Sequence, residues 1–95
     1  MEVSIGTIVK YVLTEADAIT INRRRNMLDK PNVMKSAQRH IGNHVESHQI
    51  LPMIVTVIHD ANYINGQVFL DGNDVLWVCS KKFDGNRKPG TWHLI

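Results

Sequence analysis

Only one cysteine, Cys79, occurs in the chain, so no internal disulfide is available and nothing points to an oxidising compartment. The first residues lack the basic start and apolar run of a signal peptide, and no apolar stretch is long enough to span a bilayer. The expectation is a cytoplasmic protein without a membrane partner. Charge is also scarce. Eleven Lys plus Arg against nine Asp plus Glu leave a net charge of +2, too little to mark a nucleic-acid binder by itself. No Gly-x-Ser-x-Gly, P-loop or dinucleotide fingerprint is present, and the acids are scattered. These absences argue against an enzyme and against a cofactor.

Ninety-five residues make one small domain, whose core has little stability to spare. Self-association is the usual remedy, so a homo-oligomer is expected.

What is present reads as strand, helix, then a run of strands. Thr7 to Leu13 is rich in β-branched and aromatic residues. Thr14 is a helix cap followed by acids, which predicts a helix over Glu15 to Asn26. Ala16, Ile19 and Arg23 share one side of it, a short stripe suited to the edge of a sheet. Residues 27 to 50 are the least legible. Pro31 breaks the pattern, Val33 to His40 could form a short helix ended by Gly42-Asn43, and the stretch is a site candidate because of its length.

From Pro52 the signal strengthens. Met53 to His59 is almost continuously apolar, as for a strand covered on both faces. Asn65-Gly66 is the dipeptide favoured in tight hairpins. Gln67 to Leu70 and Val75 to Ser80 then flank the turn Asp71-Gly72-Asn73-Asp74. With Gly72-Asn73 at its tip, Leu70 faces Val75, Phe69 faces Leu76 and Val68 faces Trp77, so both faces need cover. A second turn region over 84–90 leads to a closing strand, Thr91 to Ile95. The class is α+β: a small antiparallel β-meander or SH3-like barrel or roll, with one helix after the first strand.

The sharpest chemical feature is Arg23-Arg24-Arg25. Guanidinium forks match phosphate or carboxylate, and helical geometry lets at most two of the three serve one ligand. The plainer alternative is a solvated triplet complementing the helix dipole. His40, His44 and His48 have i, i+4, i+8 spacing, but Gly42-Asn43 interrupts any helix, so loop histidines are the better reading and no metal is expected. The 71–74 turn lacks the glutamate of a calcium loop, and turn chemistry accounts for it. Cys79 reads as a buried strand cysteine. Trp77 and Trp92 are core-sized anchors that could also stack on a base, and Trp92-His93, beside Gly90, is the pair expected to reach a surface groove. The candidate ligand-binding set is therefore Arg23, Arg24, Arg25, Arg39, His40, Asn43, Trp77, Trp92 and His93.

Several segments together resemble a group of short accessory proteins of tailed phages and prophages. These are Asp17-Ala18, Ile21-Asn22-Arg23-Arg24-Arg25, His40-Ile41-Gly42-Asn43, Pro52-Met53-Ile54-Val55, the run from Asn65 to Asp74, Leu76-Trp77-Val78 and Gly90-Thr91-Trp92-His93. The stretch from Met27 to Gln38 and the Leu94-Ile95 ending depart from that group. The resemblance implies a gene dispensable for the virion and a role in countering host defence, and it transfers no active site. Sequestration of a small anionic, nucleotide-type signal is the leading expectation. A nucleic-acid-binding barrel using the 81–88 basic turn and the arginines, or a module blocking a host or phage protein, are the alternatives.

Overall fold

A computed structural model describes residues 3–26 and 40–95. Five strands close into a barrel: β1 (Ile8–Val12), β2 (Ile50–Ile58), β3 (Tyr63–Phe69), β4 (Val75–Phe83) and β5 (Thr91–His93). One helix, α1 (Glu15–Asn26), follows β1. β5 seals the barrel by pairing antiparallel with β1 and parallel with β4. This is the expected α+β barrel of SH3-like type. The short helix expected over Val33 to His40, and Arg39 with it, fall outside the described residues except for His40 itself. No helix among the described residues is long and apolar enough to cross a membrane.

The helix begins where its cap predicts. The Asp17 N–H donates to Thr14 Oγ1 at 2.9 Å and the Thr14 N–H donates to Asp17 Oδ2 at 3.0 Å, so two otherwise unpaired donors are satisfied reciprocally. Tyr11 adds its phenol to Asp17 Oδ2 at 2.7 Å; burial, then that hydrogen bond and the carboxylate's charge, push the phenol well up. The buried stripe differs from the expected one. Ala18, Ile21 and Arg25 face inward, while Ala16, Ile19 and Arg23 are exposed. The helix thus lays an arginine, not only alkyl groups, against the barrel.

Inside the barrel lie Val9, Tyr11, Leu13, Met53, Val55, Ile64, Val68, Leu76, Val78 and Trp92, joined by Ile21 and Val45 from outside the sheet. The β3–β4 register departs from expectation by one residue. Phe69 pairs with Val75, Val68 with Leu76 and Gln67 with Trp77. The shift sorts the hairpin into a buried face (Val68, Leu76, Val78) and an exposed one (Phe69, Val75, Trp77, Cys79), so the doubly covered hairpin is not what forms and Cys79 is exposed. β2 likewise alternates over its middle, with Met53 and Val55 buried and Pro52 exposed.

Asn65-Gly66 is not a turn. It lies within β3, and the β2–β3 connection is made by Asp60, whose carboxylate accepts from the N–H groups of Asn62 and Tyr63. Gly66 is needed for space: a Cβ there would sit 2.5 Å from Met53 Cγ and 2.8 Å from the Ile54 carbonyl oxygen. Asn65 is also specific. Its amide oxygen accepts from the Ser80 N–H at 2.7 Å and lies 2.9 Å from His59 Nε2, where β3 and its neighbours are bulged.

Candidate functional site

Two of the three arginines share one partner, and it belongs to the chain itself. Arg24 donates from Nε and Nη2 to Asp74 Oδ2 at 3.1 and 2.8 Å, and from Nη2 to the Val75 carbonyl at 2.8 Å. Arg25 donates from Nη2 to Asp74 Oδ1 at 2.7 Å, and from Nη1 to the Asn43 carbonyl. The Asp74 side chain is 2% exposed and that of Arg25 7%. Burial pushes the Asp74 carboxyl up. The hydrogen bonds from Arg25 and Arg24 and their charges outweigh that, and it titrates below the ordinary aspartate range.

The same arrangement fastens the chain where it re-enters the structure. His40 Nδ1 stands 3.7 Å from Asp74 Oδ2, so Arg25 and His40 meet at one carboxylate. Ile41 and Asn73 exchange hydrogen bonds, Asn43 bonds Asp71 through both its backbone and its side chain, and Gly42 bridges to Gly72. A Cβ on Gly42 would meet Arg25 Nη2 and the Asp71 carbonyl oxygen at 2.6 Å, so this glycine admits a guanidinium rather than ending a helix. Asn22 completes the join by pairing its side-chain amide with both the N–H and the carbonyl of Val45. The 71–74 turn is thus more than turn chemistry: its last residue anchors the helix.

The other expected ligand groups separate. Arg23 is exposed on the helix. Trp92 does not reach a surface groove: it is 0% exposed, edge-on to Phe83, and its indole N–H donates to the carbonyls of Asn62 and Lys81. Trp77, in contrast, is 59% exposed. His93 is 4% exposed and neither ring nitrogen has a hydrogen-bond partner. No group of three His, Cys, Asp or Glu among the described residues could hold a metal ion.

Trp77 stands in a surface that the sequence did not reveal. Of six aromatic side chains, Trp92 and Tyr11 are buried, Phe83 is half-buried, and Trp77, Phe69 and Tyr63 all lie on the outer face of the β3–β4 hairpin. Gln67 pairs with Trp77 and Lys82 with Tyr63. No Asp or Glu occurs in β2, β3 or β4, whose only charged residues are Lys81 and Lys82. The outer face therefore offers flat π surfaces, an amide and a cation, with no strand carboxylate to repel an anion. Compared with family models, with curated proteins and with solved structures, the chain finds no match, and its function has to be argued from these residues.

Proposed function

We propose that the protein is a non-catalytic binding module that takes single-stranded nucleic acid across the outer face of β3 and β4. The observation carrying this reading is the exposed trio Trp77, Phe69 and Tyr63 on a sheet surface free of acids. Bases stack on sheet aromatics whatever their identity, at about 1–3 kcal/mol per base. Lys82 beside Tyr63 supplies charge for the backbone, while Gln67 opposite Trp77 can donate and accept on a base edge. Duplex DNA presents no free base faces, so it binds more weakly than a single strand.

The small-anion reading loses Arg24 and Arg25, whose guanidinium groups are held on Asp74, and Trp92, which is enclosed. The resemblance to accessory phage proteins supplies a setting, interference with host defence, and adds no residue to the site.

Intrinsic fluorescence tests the proposal, since of the two tryptophans only Trp77 is exposed. Titration with a short unstructured oligonucleotide is expected to quench emission saturably, and Trp77→Phe to remove most of the signal change. A duplex of the same sequence gives a weaker response. If single strands leave the emission unchanged while sedimentation shows association that grows with protein concentration, the face joins copies of the chain and the nucleic-acid reading fails.

A further inference from the structure

The β5–β1 side of the barrel carries a separate cluster. His93 pairs with Lys10 across the ladder, and both side chains belong to the barrel's outer surface because their neighbours Trp92 and Tyr11 fill the interior. Arg87, in the β4–β5 loop, lies near enough for its charge to act on the His93 ring. That loop is tied down at several points: Asp84 N–H to the Trp92 carbonyl, Arg87 N–H to the Asp84 carbonyl, and Gly90 N–H to the Val12 carbonyl. Arg87 is held in the left-handed region at φ 61°, a conformation costing a non-glycine residue about 1 kcal/mol or more.

Three groups here have unspent hydrogen-bonding capacity. Both nitrogens of the enclosed His93 ring lack a partner. The side chains of Lys10 and Arg87 are exposed, and neither makes an ion pair with an acid among the described residues. Leaving a buried polar group unpaired costs about 1–3 kcal/mol, so an occupant able to accept from the ring is favoured. Two cations beside it select an oxygen-rich anion.

We propose that Lys10, Arg87 and His93 form a binding site for a small oxyanion of the phosphate class, either inorganic phosphate or the monoester of a nucleotide. Burial, then the positive charges of Arg87 and Lys10, hold the His93 ring below the ordinary histidine range. A bound dianion reverses the electrostatic part of that effect, so the ring takes up a proton more readily when the site is filled. The site is independent of the Trp77 face and stands or falls without it.

The test is NMR of the full chain, following the His93 ring signals through a pH titration with and without inorganic phosphate. Phosphate is expected to shift those signals saturably, with an affinity on the order of millimolar or tighter, and to move the His93 titration upward. Lys10→Ser with Arg87→Gly, both at exposed positions and the second suited to a positive φ, should weaken the effect at least about tenfold, or 1.4 kcal/mol, while preserving the folded spectrum. Comparing a nucleoside 5′-monophosphate with the phosphate-free nucleoside separates the two sources: equal response to inorganic phosphate and the nucleotide assigns a bare oxyanion site, a stronger response to the nucleotide assigns a monoester site. Unchanged His93 signals overturn the proposal, as does a response that survives in the double variant.

Discussion

The arginine-bearing end of α1 and the outer face of β3–β4 differ in what their reactive groups are already doing. Arg24 and Arg25 look like ligand-binding groups in the sequence, yet their guanidinium groups are held by Asp74, Val75 and Asn43. Trp77 and Phe69 look like core residues in the sequence, yet they and Tyr63 each present more than a third of their surface. A functional group must be available as well as suitable. Strong chemistry spent inside a fold stabilises it, whereas weaker chemistry left outside is free to bind.

The comparison is broken most forcefully at its buried side. Asp74→Ala leaves the enclosed Arg25 guanidinium without its counter-charge and should cost about 3–5 kcal/mol, read as a lower urea midpoint. If the arginines were ligand groups restrained by Asp74, the same change would leave stability nearly intact and strengthen anion binding. The two tryptophans sharpen the contrast. Trp92→Ala should cost about 3–5 kcal/mol through the cavity it opens, while Trp77→Ala should change stability by no more than about 0.5 kcal/mol. Thr14→Ala, which breaks the reciprocal cap but touches neither region, should cost about 1 kcal/mol.

Acid should act in two stages. Folded His93 resists a proton that the unfolded chain accepts near pH 6.5, so the unfolded state binds more protons and stability falls as pH drops from there toward the lowered folded value. In buffer free of phosphate and sulfate, His93→Gln should remove that stage. Asp74, whose folded value is depressed, contributes stability that is complete above about pH 3.9 and is lost as pH falls through its lower folded value. Chemical denaturation at stepped pH resolves the two.

Much of the fold was legible because local chemistry matched global placement. Thr14 and the acids after it mark the start of α1, and the apolar blocks mark β1, β2 and β4. The misreadings share a cause. Asn65-Gly66 suggests a turn by propensity, but Gly66 is there because Met53 occupies the space where its side chain would be. The hairpin register slipped by one because Phe69, Val75 and Trp77 are as apolar as the residues beside them, so alternation carries little contrast; Gln67 and Lys82, on the outer face, were the available signal. The partner of Arg24 and Arg25 lies about fifty positions away, and sequence spacing cannot pair groups that meet only when the barrel closes. Trp77 and Trp92 were exchanged for the same reason: their type is informative, their side of the sheet is not.

Titrating the isotope-labelled protein with a short single-stranded oligonucleotide tests the central claim most directly, by following backbone amides and arginine Nε signals together. The account predicts shifts centred on Tyr63, Phe69, Val75, Trp77 and Lys82, with the Arg24 and Arg25 Nε signals unmoved. Shifts confined to Arg23, Arg24, Arg25 and the 40–43 stretch, with the Trp77 face silent, would contradict it.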